Sequence, residues 1–204
     1  MNILAIGAHP DDIDFGCGGA LLKYGENGHN VYMLILSKGE KGGDPEIRQR
    51  EQESSAQLLK VKKLFFGGYL DTEITLDREL IITIEKVLDK VKPDFIFVNY
   101  LDDTHQDHRN LARAAMSATR HVKNVLFFEG PTTQHFTPNV FIDIETVLDK
   151  KLECLKAHAS QVRKTNIEDL TIVEVAKSAA NFRGIQGKVR YAEAFQSLRL
   201  FINI

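Results

Sequence analysis

Asn2-Ile3-Leu4-Ala5-Ile6-Gly7-Ala8-His9-Pro10-Asp11-Asp12 decides how the chain is read. Its first half is a short apolar run, the mark of a fully buried strand. Pro10 must end that strand, because proline has no N–H for a ladder and restricts the residue before it. A histidine and two carboxylates therefore stand where a buried strand opens into a loop. In an open α/β sheet, ligands bind at that end of the strands. Buried Asp and His need a partner, a proton or a metal. A divalent cation is one simple way to gather an imidazole and carboxylates at one spot.

Outward from this stretch the pattern repeats. Apolar runs at 31–36, 63–67, 95–98 and 125–128 read as further strands. Helical stretches alternate with them: a crossover helix starting over 18–24, a polar helix over 46–59, and helices over 76–91 and 106–121. In the polar helix the expected exposed face carries Gln49, Gln52 and Glu53. Ile47 and Leu58 fall on the opposite, buried side. Glycines at 39, 42 and 43 with Pro45 mark a loop after the second strand, on the same rim as His9. The alternation predicts an α/β fold with a mostly parallel sheet covered on both faces. The last third is less regular: an edge strand at 140–143, helices over 147–158 and 170–181, and a glycine-containing loop at 183–188.

A chain of 204 residues is expected to form one domain, spanning 1–204, with a sizeable core. A net charge of -2 gives no excess of basic charge for nucleic acid or an anionic membrane. No run approaches the ~20 apolar residues of a membrane span. The first strand starts at residue 2 or 3 with no leader-like pattern before it. Cys17 and Cys154 are far apart and make no metal-type spacing. A reducing cytoplasm is the expected compartment.

A second polar cluster, Asp102-Asp103-Thr104-His105-Gln106-Asp107-His108, stands at the exit of the strand at 95–98. His105 and His108 would project from one side of a helix that begins here. Together the clusters would give one rim three histidines and up to five carboxylates. Such a set suits zinc, with another divalent first-row metal as the alternative. The plain readings stand beside this one. Asp11 and Asp12 are also good turn and cap residues, and Thr104 with Asp107 matches a capping box.

The two clusters together resemble the N-acetylglucosaminyl deacetylase family, called PIG-L or LmbE-like. His9-Pro10-Asp11-Asp12 looks like its first motif and His105-Gln106-Asp107-His108 like its second. Asp44-Pro45-Glu46-Ile47-Arg48 with Glu51, His158-Ala159-Ser160-Gln161 and Tyr191-Ala192-Glu193-Ala194-Phe195 match further along, in the right order. The resemblance implies a Rossmann-like fold and a catalytic zinc held by His9, Asp12 and His108. It makes Asp11 the general base and His105 the group that steadies the oxyanion, oriented by Asp107. Arg48 matches an arginine that helps hold the sugar in relatives; its plain reading is a solvated helix charge. Asp71, at a strand exit, is a second candidate for sugar hydroxyls, or simply a turn residue. The implied reaction removes the N-acetyl group from a glucosamine unit and releases acetate, so the implied partner is a small N-acetylated sugar. Relatives are often oligomers, and no residue here fixes the number of subunits. Loops at 39–45, 71–75 and 131–138 are the expected aglycone contacts. The competing functions are hydrolysis of another amide or ester at the same metal, and non-catalytic binding of sugar or metal. A free carboxylate beside a full ligand set speaks against mere binding.

Overall fold

β1 (Asn2–Gly7) forms where the apolar run predicts it. The computed structural model describes residues 1–202. β1 pairs in parallel with β2 (Asn30–Ser37) on one side and β4 (Phe95–Asn99) on the other. β3 (Lys63–Tyr69) and β5 (Asn124–Phe128) extend the parallel set outward. β7 (Ala192–Arg199) runs antiparallel to β5, and β6 (Val140–Asp143) closes the edge antiparallel to β7. The order is β3-β2-β1-β4-β5-β7-β6. The chain thus winds outward both ways from the β1/β4 junction, the point where open α/β sheets leave a crevice.

One face is covered by α1 (Asp12–Glu26), α2 (Pro45–Leu58), α5 (Leu148–Ala157) and α6 (Ile172–Gly187). α3 (Arg78–Val91) and α4 (Gln106–Ala118) cover the other. The inner strands are buried on both faces, with Ile3, Leu4, Ala5 and Ile6 all at 0% exposure, as continuous apolar runs require. Among the described residues no helix is long and apolar enough to cross a membrane.

Three expectations need correction. α1 begins at Asp12, six residues before the predicted start, and runs through Gly16, Gly18 and Gly19. Packing overrides glycine's poor helix propensity there: a Cβ on Gly16 would lie 2.1 Å from the Phe128 ring. α6 continues to Gly187, across the stretch expected to be a loop. In α2 the faces are reversed: Arg48, Gln52 and Ser55 are buried, while Ile47 and Leu58 are exposed. The N-terminal part of the buried side of α2 meets a polar layer beneath the site and is polar, while Ala56 near its end joins the core.

Candidate active site

The rim above the β1/β4 junction gathers both motifs. Pro10 ends β1, and Asp11 is the N-cap of α1, at φ 82 and ψ -21 in the left-handed region. Asp tolerates that region better than most residues. In this conformation Asp11 makes no side-chain cap hydrogen bond, so its carboxylate is not used by its own helix. The Asp12 carboxylate turns back instead. Its Oδ2 accepts the N–H groups of Ala8 and His9, at 3.1 and 3.0 Å. From β4, the chain reaches α4 through His105, whose Nδ1 accepts the Asp107 N–H at 3.2 Å. His105 is therefore the N-cap, and Thr104 is not the capping-box residue that spacing suggested.

Three lone-pair atoms converge. His9 Nδ1 lies 3.3 Å from His108 Nε2, His108 Nε2 lies 3.2 Å from Asp12 Oδ2, and His9 Nδ1 lies 3.6 Å from Asp12 Oδ2. A tetrahedral ion with bonds of about 2.0–2.1 Å spaces its ligands by roughly 3.3–3.4 Å. The triangle therefore fits a divalent cation. Two other groupings also bring ligand atoms within 4.8 Å: His9 with His105 and His108, and His9 with Asp71, His105 and Asp107. The last uses the opposite ring nitrogen of His9. Asp107 Oδ2 and Asp71 Oδ1 each lie 3.1 Å from His9 Nε2. Carboxylates on the far nitrogen of a ligand histidine fix its tautomer and turn the other lone pair toward the metal. Asp103 stands in the same relation to His108, with Oδ2 3.2 Å from Nδ1, though off the hydrogen-bonding line. In the His9–Asp12–His108 triangle the two imidazole nitrogens are thus turned toward one another and toward Asp12 Oδ2, which also accepts the Ala8 and His9 N–H groups.

The electrostatics follow from crowding. Burial pulls His9 and His108 down, but the surrounding carboxylates outweigh it: His9 sits well above the usual histidine value and His108 at about 9. Burial would raise Asp12, yet His108 and His9 hold it well below the carboxylate range. Burial likewise opposes the shift at Asp71, where His9 and the Lys41 N–H bring it to about 2. Asp11 goes the other way. Burial pushes it up to about 6, against the pull of His158 and Arg48. His105 is lowered by burial and then by the His9 and His108 charges. With Nδ1 accepting, its ring carries the proton on Nε2.

A cleft of about 110 Å³ opens beside Asp11 and Asp12. Phe15, Asn99, Gly130 and Pro131 line it, as do Gln161, Lys164, Thr165 and Ile172. Pro131 belongs to an expected substrate loop and Gln161 to one of the matched motifs; Lys164, Thr165 and Ile172 were not anticipated. Asp71 and Arg48 are not in the lining. Asp71 is buried against His9, and Asp107 also faces His9 rather than the His105 ring. Arg48 is 5% exposed and donates to the carbonyls of Gly39 and Pro10, both at 2.8 Å. Sequence reasoning also missed Asp14, Gln52 and Ser55, each at 0% exposure beneath Asp11. Only their proximity in sequence to the motifs could have marked them.

A family model described as GlcNAc-PI de-N-acetylase matches residues 4–119, more than half of the chain and both motifs. The chain belongs to the PIG-L family. Among PIG-L-like relatives, the uncharacterized deacetylase YaiS of Escherichia coli is 32% identical over 168 residues, covering 78% of this chain and 91% of that protein. The diacetylchitobiose deacetylase of Thermococcus kodakarensis is 29% identical, covering 78% and 70%. The crystal structure of the conserved protein TT1542 from Thermus thermophilus superposes with a TM-score of 0.90 at 25% identity, over 100% of this chain and 97% of that one. One relative differs in its chemistry. The 4-oxalmesaconate hydratase of Pseudomonas putida is 24% identical, covering 97% and 89%.

Proposed function

We propose that this protein is a metal-dependent N-deacetylase acting on an N-acetylglucosamine-type sugar or conjugate. The observation that carries the reading is the His9–Asp12–His108 triangle with Asp11 left outside it, uncapped and facing the cleft. Zinc suits two imidazoles and a carboxylate, with another first-row metal as the alternative. A divalent cation held there supplies Lewis acidity to a water molecule and to the amide carbonyl.

The chain's own residues do the rest. Asp11 takes a proton from the attacking water. The water oxygen bonds to the acetyl carbon as the carbonyl becomes an oxyanion. His105 donates from Nε2 to that oxygen, an interaction worth about 3–4 kcal/mol where such donors have been removed elsewhere. The C–N bond then breaks, and the nitrogen takes the proton that Asp11 accepted from the water. Acetate and an amino sugar leave. Asp107 holds the His9 ring by its hydrogen bond to Nε2, with Asp71 beside it as a second negative charge, so their part is orientation of a ligand.

The deacetylase relatives support amide hydrolysis. The hydratase relative names the competing reading, addition of water to a carbon–carbon double bond of an unsaturated acid. Zinc-loaded protein assayed against N-acetyl sugars, simple esters and an unsaturated dicarboxylic acid separates these, with acetate release expected from the first group alone. Asp11→Asn is expected to keep its metal and lose about 10²–10⁴-fold in kcat. Wild-type turnover in that variant would remove Asp11 as the base.

A further inference from the structure

The polar face that α2 buries has a specific target. Arg48 and Gln52 stand four residues apart, on one side of the helix. Arg48 Nη2 donates to the Pro10 carbonyl at 2.8 Å, and Gln52 Oε1 accepts the Asp11 N–H at 3.2 Å. These two groups are the two ends of a single peptide unit, Pro10–Asp11. We infer that Arg48 and Gln52 are positioning residues that clamp this peptide and so hold Asp11 in its left-handed conformation.

Each half of the clamp is itself fixed. Gln52 Nε2 donates to Asp14 Oδ2 at 3.2 Å, so its amide oxygen must face Asp11. Asp14 also takes a hydrogen bond from Ser55 Oγ and lies 3.2 Å from His158 Nε2. Arg48 is threaded through the 39–42 turn: its Nη1 donates to the Gly39 carbonyl, and a Cβ on Gly39 would fall 1.9 Å from that nitrogen. Arg48 Nη2 also reaches Asp11 Oδ2 at 3.5 Å. Both terminal nitrogens of the guanidinium are thus taken up by the turn and by the Pro10–Asp11 segment, while Nε is buried without a partner among the described residues. The left-handed turn is what leaves the Asp11 carboxylate uncapped. If the peptide rotated, the side chain would fall back on the α1 N–H groups, as an ordinary Asp N-cap does.

The inference rests on Asp11 being the base, and a double-variant cycle tests the two ideas apart. Gln52→Met is expected to lower kcat about 10²-fold, the scale for a reacting group displaced by about 1 Å. KM and bound metal should be unchanged. In an Asp11→Asn background the same substitution is expected to alter the residual kcat less than twofold. An equal loss in both backgrounds overturns the clamp, whereas full activity of Asp11→Asn alone overturns the base. A rise in KM with kcat kept would make these residues sugar contacts and also overturn it. A crystal structure of Gln52→Met gives a readout free of activity: Asp11 should leave the left-handed region, and an unchanged φ sinks the inference. Should Gln52→Met not fold, Arg48→Lys is expected to give the same kcat-only loss and the same dependence on Asp11.

Discussion

His9 presents each ring nitrogen to a different set of acids. Nδ1 faces Asp12 and His108, while Nε2 faces Asp107 and Asp71. Each ring can donate only one proton when neutral, so the two outer acids decide which nitrogen is left for a cation. Beside His108 Nδ1 the nearby charge is Asp103, 3.2 Å away but off the hydrogen-bonding line, whose carboxylate accepts the His105 N–H and the hydroxyls of Thr132 and Thr133. Asp103→Asn keeps the size and loses the charge. It is expected to weaken metal binding 10–100-fold, measured by competition with a chelating dye. Turnover of the fully loaded enzyme should change far less. Unaltered affinity would mean that Asp103 serves only the loop. At this scale the residues alone showed that two polar clusters stand at strand exits on one rim, and the family resemblance singled out His9, Asp12 and His108, which lie side by side. It was not readable where one carboxylate serves a residue far away. Asp107 was paired with its neighbour His105, yet its carboxylate lies against His9, ninety-eight positions off.

Among the elements, the inner parallel strands were legible because burial on both faces leaves them nearly continuous apolar runs, and half-buried β3 still shows Leu64, Phe65 and Phe66. α2 was not, because amphipathic reading assumes that the inward face is apolar. Here the inward face meets Asp11 and Asp14, and polar side chains are the ones that fit. The start of α1 was missed for a related reason: glycines argue against helix locally, and only Phe128 and Ile144 across the interface explain them. The polar layer under α2 makes a prediction of its own. His158, at the C-terminal end of α5, is 1% exposed beside Asp14. Burial lowers its pKa, but Asp14, then Asp11 and Glu51, leave it above 6.5. A histidine raised on folding stabilises most below its unfolded value, and that contribution fades as pH rises through the folded one. Wild type should therefore exceed His158→Gln in stability by more at pH 6 than at pH 9, read from urea midpoints at both pH values. A gap that widens toward alkaline pH would contradict the pairing with Asp14.

Across the whole molecule, the last third of the chain is fastened to the first helix by a buried ion pair at the middle of α1, in addition to His158 against Asp14 near its start. Lys151 of α5 and Glu193 of β7 are 2% and 4% exposed, and their charged ends meet at 2.5 Å. Lys151 Nζ also donates to the Phe15 carbonyl, while Glu193 accepts the Gly19 and Ala20 N–H groups, both at 2.7 Å. α1 is thereby held at mid-length by α5 and by the antiparallel edge of the sheet. Its N-terminus carries Asp11 and Asp12, so the fastening also sets where the proposed base and one candidate ligand stand relative to β4. Removing one partner leaves the other charge buried and alone, which costs about 3–5 kcal/mol, whereas replacing both with apolar groups of similar volume is often close to neutral. Lys151→Met and Glu193→Leu should each lower stability by that order. The double variant should lose clearly less than the sum of the two. The measurement is the urea midpoint at unchanged slope, since a shift in midpoint alone reports stability. Strict additivity would mean that the two side chains act independently, each through its own backbone contacts on α1. The pair would then not be what joins the C-terminal strands to the candidate site.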